Sequence, residues 1–257
     1  MINMITNSEE ISNYFKKISN NNTIIFTNGN ETYIPTLIRN LLYSYYRFNN
    51  EKKIGIFCSD NKALEKAQEF SLDACFVDIP GLQVSEAYSS ICGSEFYLRL
   101  CFVKIILIRY AIELNYDVLY IDPDMTFNLN CIDELINIKD ELTFAKYIER
   151  PNTIPFLNSN IMRVYPTEKN KKLFDFKIEY LPLFLVRLPD IGDEDFLEEN
   201  IFKYNIKNTK SLNIQEYPAG GDSHFCDQNK IKMFHANCFI GLDNKINYLK
   251  RSNAWFI

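Results

Sequence analysis

The sequence predicts an α/β protein with a central, mostly parallel and doubly wound sheet flanked by helices, and a smaller mixed sheet toward the C-terminus. Two observations support this prediction. Short β-branched or aromatic runs alternate with helical periodicity through the first half of the chain, the pattern of such a sheet. Residues 118–121 are apolar throughout, as in a strand covered on both faces, and a hydrophobic content of 47% provides for a large core.

The first half of the chain alternates strands with helices. The helix after the first strand places Leu37, Leu41 and Tyr45 on one face, and Pro80 and Gly81 end the third strand. The helix before residues 118–121 is apolar nearly all round, so we expect it to be buried. The predicted elements are a helix at 11–18, a strand at 23–27 with a polar turn at 28–30, a helix at 33–48, a strand at 53–58, a helix at 61–70, a strand at 74–79, a loop at 83–93 and a helix at 94–114.

The second half mixes short strands with amphipathic helices. No repeat, low-complexity tract or linker divides the chain, so we predict one domain over residues 1–257. The predicted elements are a helix at 131–138, a strand at 142–147, a turn that becomes a strand over 156–164, helices at 167–180 and 193–204, and strands at 212–217 and 232–234.

Composition excludes several classes of function. The net charge is −5 and no basic run is present, which argues against a nucleic-acid partner. Seven cysteines without a Cys-x-x-Cys pair indicate reduced thiols. The N-terminal residues are polar and Asn-rich, unlike a signal peptide, and the longest apolar run is interrupted by Lys104 and Arg109. We therefore expect a cytoplasmic protein without a membrane span.

The strand at 118–121 runs directly into two carboxylates, Asp122 and Asp124. Because side chains alternate along an extended backbone, both point to the same side, and Pro123 between them cannot continue the sheet. The pair therefore lies at the carboxyl end of a strand, the edge where open α/β sheets bind ligands. Two carboxylates this close repel unless a cation lies between them, and oxygen ligands suit Mg²⁺, Mn²⁺ or Ca²⁺. The alternative is a helix-capping turn without a metal.

His235 is a candidate third ligand. It directly follows the apolar pair Met233 and Phe234 at the end of a late strand. A neutral imidazole there would complete a site of two carboxylates and one nitrogen, which favours Mn²⁺ over Mg²⁺. The alternative is a core histidine bonded to the backbone. His224 lies in a predicted loop and receives no role.

Five segments follow one another along the chain: Ile24-Ile25-Phe26-Thr27-Asn28-Gly29-Asn30; Leu114-Asn115-Tyr116-Asp117-Val118-Leu119-Tyr120-Ile121-Asp122-Pro123-Asp124; Leu157-Asn158-Ser159; Asp193-Glu194; and Phe234-His235-Ala236-Asn237 through Gly241 to Asn244-Lys245. In this order and spacing they resemble the nucleotide-diphospho-sugar transferases of GT-A fold. The similarity is to the retaining group, which holds the glycogenin-like enzymes and the plant and algal cell-wall sugar transferases. It runs from Thr23 to about Lys250.

The resemblance implies a role for each matching residue. Asp124 is then the direct metal ligand, Asp122 is shared between the metal and the ribose, and His235 is the third ligand. Lys104 is similar to a basic residue that lies near the donor in the family. The alternative is a solvated lysine without a role in binding. The other residues implied in donor binding are Thr27, Asn28 and Tyr33 at the uracil and ribose, Lys245 and Gly241 at the diphosphate, and Asn158 and Ser159 at the donor sugar.

Two positions depart from the family. Asp193-Glu194 stands where the family commonly has Asp-Gln near the anomeric carbon, so Glu194 is either a nucleophile or a hydrogen-bonding group. Asn160 replaces the usual glycine after Asn-Ser. A retaining transferase passes through an oxocarbenium-like state. Either the acceptor hydroxyl arrives on the face that the diphosphate leaves, or a covalent intermediate forms on Glu194 or Asp193.

The resemblance therefore implies a metal-dependent retaining glycosyltransferase, a hexosyl- or pentosyltransferase that uses Mn²⁺ or Mg²⁺ and a UDP-sugar. Its nucleotide-binding half is 1–124 and its donor-sugar and acceptor half is 125–257. The acceptor is a glycan or a glycoprotein. One alternative is a haloacid-dehalogenase-type phosphohydrolase with Asp122 as nucleophile, although three predicted strands precede Asp122. The other is a binding module that keeps the fold without turnover.

Overall fold

A seven-stranded sheet forms the centre of the described fold, in the order β3-β2-β1-β4-β7-β6-β8. The computed structural model describes residues 4–82, 94–147, 157–186 and 192–257, so the predicted loop at 83–93 lies outside the described residues. The strands are β1 (Thr23–Gly29), β2 (Ile54–Cys58), β3 (Ala74–Phe76), β4 (Asp117–Ile121), β5 (Met125–Phe127), β6 (Leu142–Lys146), β7 (Leu157–Val164), β8 (Thr209–Ser211) and β9 (Met233–His235).

The sheet confirms the predicted doubly wound, mostly parallel architecture. The pairs β1–β2, β1–β4, β2–β3 and β6–β8 are parallel, whereas β7 runs antiparallel to both β4 and β6. The smaller sheet consists of β5 and β9, which form an antiparallel pair instead of a mixed sheet.

Helices cover both faces of the large sheet. The longest of them, α4, places nearly all of its apolar residues in the core, as its composition predicts, and Phe102 on this helix stacks on Phe176 with ring centroids 3.9 Å apart. Among the described residues, none of the helices meets the length and apolarity needed to cross a bilayer. The helices are α1 (Ser8–Ile18), α2 (Arg39–Tyr46) after a π-helical turn (Ile34–Ile38), α3 (Asn61–Glu69), α4 (Glu95–Glu113), α5 (Ile132–Ile136), α6 (Glu168–Leu173), α7 (Leu181–Leu185), α8 (Asp193–Lys203) and α9 (Leu242–Arg251).

Strand register brings the predicted acidic pair and histidine to one edge. The parallel pair β1–β4 aligns Phe26 with Tyr120, so the ends of both strands meet where Asp122 follows β4. The antiparallel pair β5–β9 aligns Met125 with His235. Because β5 begins directly after Asp124, this small sheet carries His235 to the acidic residues.

Several predicted elements differ from those observed, and the third strand, predicted at 74–79, ends at Phe76. The turn at 28–30 begins inside β1, because Asn28 and Gly29 continue the pairing with β2. The helix at 167–180 stops at Leu173, since the chain beyond it buries Phe176 against α4. The strand at 212–217 is instead a turn, in which the Asn213 side chain accepts from the backbone N–H of Gln215; the edge strand is Thr209–Ser211.

Candidate active site

A cavity opens where β1 and β4 end, the edge that the sequence predicts for ligand binding. Its lining brings together four of the predicted donor-binding residues with the three metal-ligand candidates. The lining residues include Asn28, Tyr33, Lys104, Asp122, Asp124, His235 and Lys245, together with Tyr97, Leu100, Cys101, Tyr120, Pro123, Asn237, Cys238, Phe239 and Ile240.

Asp122, Asp124 and His235 form a cluster able to hold a metal ion. One ligand atom from each lies within 4.8 Å of the others. Nε2 of His235 is 3.2 Å from Oδ1 of Asp124 and 3.8 Å from Oδ2 of Asp122. Asp124 and His235 are buried, and Asp122 is partly open to the cavity. Two carboxylates and one imidazole are a donor set that suits Mn²⁺ or Mg²⁺.

Lys245, from the start of α9, forms a buried ion pair with Asp124. Its ammonium contacts Oδ2 of Asp124 and donates to the carbonyl of Ala236 at 3.1 Å. Burial alone would raise the pKa of Asp124, but the neighbouring Lys245 and His235 outweigh it and hold that pKa well below its ordinary value. Burial would lower the pKa of Lys245, and Asp124 raises it above its usual range. Both groups are therefore charged at neutral pH.

Lys104 joins the acidic pair to a second group of polar residues. Its ammonium lies 3.3 Å from Oδ1 of Asp122, 2.9 Å from Oδ2 of Asp193 and 2.7 Å from Oγ of Ser159. Only 4% of the residue is exposed, although α4 is otherwise apolar. Burial lowers its pKa, but the two carboxylates more than compensate and raise the pKa above its ordinary value. This is a buried, fully charged lysine and not the solvated one of the alternative interpretation.

Glu194 lies beside Asp193 at the first turn of α8. Its Oε1 accepts from the backbone N–H of Ser159 at 3.1 Å, and its Oε2 accepts from the hydroxyl of Tyr147 at 3.4 Å. Burial, together with the negative charge of Asp193, raises the pKa of Glu194 from 4.5 to about 8. The shift favours the protonated form of this carboxyl, which is a hydrogen-bond donor and a poor nucleophile, over the carboxylate.

The raised pKa predicts a pH-dependent stability difference for Glu194→Gln. The folded protein binds a proton that the unfolded chain loses near pH 4.5, so this contribution is complete at low pH and is lost as pH rises to about 8. The variant should therefore gain stability relative to wild type between pH 5 and 8, by up to about 1.4 kcal/mol per pH unit. Urea unfolding at several pH values measures this, with Glu65→Gln, at an exposed position of α3, as the control. A pH-independent difference would contradict the protonated state.

Several predicted site residues do not line the cavity. Thr27 is fully buried, and its side chain points to the opposite face of β1 from that of Asn28. Asn158 is also buried, and its Nδ2 has no hydrogen-bond partner. Gly241 caps α9 with φ of +88°, a backbone conformation that favours glycine. Asp193 and Ser159 join the centre through Lys104, and Glu194 accepts from the backbone of Ser159.

Sequence reasoning missed the contacts by which two residues hold the centre. The hydroxyl of Tyr120 lies 2.7 Å from Oδ1 of Asp122 and 2.8 Å from Oδ1 of Asn28. The two-residue spacing between Tyr120 and Asp122 is a signal that could have shown it, because such residues share a strand face. The second, Asn160, contacts His235 at 2.8 Å. That contact depends on the antiparallel register of β7, which no local pattern gives.

Known protein families give an independent comparison. The family model described as nucleotide-diphospho-sugar transferase matches residues 50–249, more than three quarters of the chain. A sequence comparison with curated proteins finds no match. The family match gives no support to the phosphohydrolase alternative.

Solved structures show a similar fold at low sequence identity. Mouse xyloside xylosyltransferase 1 aligns with a TM-score of 0.56 and 13% identity over 86% of this chain and 99% of that chain. An active-site mutant of LgtC aligns at 0.55 and 11% identity over 91% and 96%. The glycosyltransferase GlyE of Streptococcus pneumoniae TIGR4 aligns at 0.53 and 17% identity over 90% and 59%. The chain belongs to the nucleotide-diphospho-sugar transferase family and is a glycosyltransferase of GT-A fold.

Proposed function

We propose that the protein transfers a sugar from a UDP-sugar to an acceptor hydroxyl, with retention of configuration and with a divalent metal, Mn²⁺ or Mg²⁺. The observation that carries the proposal is the meeting of Asp122, Asp124 and His235 at one edge of the sheet, from segments more than a hundred residues apart. Such a cluster beside a buried lysine suits a ligand that carries a diphosphate.

The charges around the centre support a divalent cation. Four carboxyl groups face two ammonium groups there. Two positive charges against four negative ones leave a net charge of −2, or of −1 when Glu194 is protonated. Asp122, Asp124 and His235 would hold the metal. When bound, it would offset the negative charge that develops on the departing nucleoside diphosphate.

The chain's own residues have complementary roles in this proposal. Lys245 would stabilise the diphosphate, because its buried ammonium already lies against the acidic cluster, and Gly241 shapes the backbone before it. Asn28 and Tyr33 line the cavity next to Asp122 and would contact the ribose and uracil. Thr27 would act only indirectly, by supporting β1.

Residues beyond Lys104 would face the donor sugar. Asn158, Ser159, Asp193 and Glu194 form this group, and Lys104 links it to Asp122. The raised pKa of Glu194 favours its protonated form, which suits a hydrogen bond to the sugar better than attack on the anomeric carbon. We therefore favour arrival of the acceptor on the face that the diphosphate leaves, with that leaving group accepting the acceptor proton.

The proposal extends to substrates and organisation. One similar structure is a xylosyltransferase, and both a pentose and a hexose are proposed as donor sugars here. A glycan or glycoprotein is the proposed acceptor, and residues 1–257 are proposed as one domain with halves at 1–124 and 125–257. A cytoplasmic location is supported by five buried free thiols, those of Cys58, Cys75, Cys101, Cys131 and Cys226.

UDP binding tests the proposal directly. Wild-type protein should bind UDP in the presence of Mn²⁺ and lose that binding when EDTA removes the metal, as measured by calorimetry. Incubation with a panel of UDP-sugars should release UDP slowly without acceptor, and faster with the matching acceptor. UDP binding that does not change with metal would contradict the metal-dependent mechanism, and trapping of Asp122 by fluoroberyllate would favour the phosphohydrolase.

A further inference from the structure

Asn160 is the residue through which β7 contacts the ring of His235. The side-chain amide nitrogen of Asn160 lies 2.8 Å from Nδ1 of the imidazole, and both residues are almost fully buried. The backbone of Asn160 is fixed at the same place, because its carbonyl accepts from the N–H of Asp122 at 2.7 Å. The contact is therefore a rigid link between β7 and the candidate metal centre.

The orientation of the Asn160 amide is set by a second contact. Its Oδ1 accepts from the backbone N–H of Ile161 at 2.7 Å. If the amide were turned over, its NH₂ group would face this N–H, and two donors would oppose each other without solvent. The nitrogen also lies 3.6 Å from Sδ of Met125, a weak acceptor. Asn160 therefore presents a donor to the imidazole.

This donor determines which nitrogen of the neutral ring carries the proton. A ring nitrogen that faces an N–H donor must act as the acceptor, so Nδ1 is unprotonated and the proton is on Nε2. Nε2 then donates to Oδ1 of Asp124, 3.2 Å away. The nitrogen that faces the acidic pair is therefore the protonated one.

We propose that Asn160 is a positioning residue that holds His235 in the Nε2–H tautomer and thereby weakens cation binding at the centre. The inference rests on the proposed function for the identity of the cation. A metal would bind the lone pair of Nε2, which requires the proton on Nδ1. A proton on Nδ1 would face the amide N–H of Asn160, so that two donors would oppose each other. Metal-binding histidines usually donate from the second ring nitrogen to an acceptor, which this amide orientation does not supply.

The tautomer can be observed without any metal. The chain contains two histidines, so ¹⁵N-labelled imidazoles give two sets of signals, and His224→Gln identifies those of His235. In metal-free wild-type protein, at a pH where the ring is neutral, long-range ¹H–¹⁵N spectra should show the proton on Nε2. A proton on Nδ1 would overturn the inference, whether or not the protein binds a metal.

Metal affinity tests the consequence. Asn160→Asp offers an acceptor to Nδ1–H and should tighten Mn²⁺ binding by about tenfold, the lower end of such effects. Asn160→Gly removes the opposing donor without adding charge and should tighten binding several-fold. Asn170→Ala, at a buried asparagine of α6 away from the cavity, is the control and should leave the affinity unchanged.

Electron paramagnetic resonance of free Mn²⁺ measures these affinities. Equal or weaker binding by both Asn160 variants, with native circular dichroism, would overturn the proposal. If no variant and no wild-type protein bound Mn²⁺, the metal assignment of the proposed function would fail, and the affinity claim with it. The tautomer measured in metal-free protein would still report on the contact between Asn160 and His235, so the two failures are distinguishable.

Discussion

Asp124→Asn should abolish Mn²⁺-dependent UDP binding and lower sugar transfer by about 100- to 1,000-fold. Asp124 is the more buried of the two carboxylate ligand candidates, since it is 5% exposed, and it contacts both His235 and Lys245. An amide keeps the shape of the carboxylate but loses its charge, so the metal loses its most buried anionic ligand. Loss of one preorganised electrostatic contact typically lowers kcat by this amount. Calorimetry with UDP and Mn²⁺, and UDP release in the transfer assay, measure the two effects.

The choice of asparagine in place of alanine follows from the buried ion pair. Removing one partner of such a pair leaves the other charge buried without compensation, at a cost of about 3–5 kcal/mol. Both Asp124→Asn and Asp124→Ala would therefore destabilise the fold through Lys245, but asparagine keeps an oxygen that can accept from the ammonium and alanine does not. The double variant Asp124→Asn/Lys245→Met removes both charges and should recover much of the lost stability without recovering UDP binding. Wild-type affinity for UDP in either folded variant would refute the assignment of Asp124.

Much of the central sheet could be predicted because its strands are short apolar runs with clear ends. Residues 118–121 and the two aspartates needed only strand periodicity and the missing N–H of Pro123. Elements whose limits depend on distant packing were harder. The chain after Leu173 leaves the helix because Phe176 packs on Phe102, which is more than 70 residues away. The strand β5 and the helix α9 were not predicted at all, since three residues or a polar amphipathic segment give little local signal.

The candidate site divides in the same way. Asp122 and Asp124 follow from local alternation, whereas the approach of His235 needs the pairing of β5 with β9. The roles of Lys104 and Glu194 depend on their surroundings, because the same residue types at an exposed position would be solvated. A lysine on an apolar helix looks like a residue that extends its charge to solvent. Only the tertiary structure shows that Lys104 stays inside, between Asp122 and Asp193.

Lys104→Met should be among the most damaging single substitutions, with a loss of about 3–5 kcal/mol in the free energy of unfolding. The ammonium contacts two carboxylates, and methionine would leave Asp122 and Asp193 close together without a cation. The burial of these two carboxylates and the repulsion between them would then both destabilise the folded protein. Transfer should fall at least as much as in Asp124→Asn, because Ser159 and Asp122 both lose the group that fixes their position.

Two further variants distinguish the effect of the buried charges from the general effect of replacing a lysine with methionine. Lys52→Met removes a lysine whose partner, Asp133, is largely exposed, so its effect should stay within about 1 kcal/mol. Lys104→Met/Asp193→Asn removes one carboxylate together with the ammonium and should recover a large part of the stability. Urea unfolding of all three variants at pH 7 measures the differences. If Lys104 balances these carboxylates, no neutral side chain can replace it without a large loss of stability. A Lys104→Met effect no larger than that of Lys52→Met would therefore show that Lys104 does not balance them.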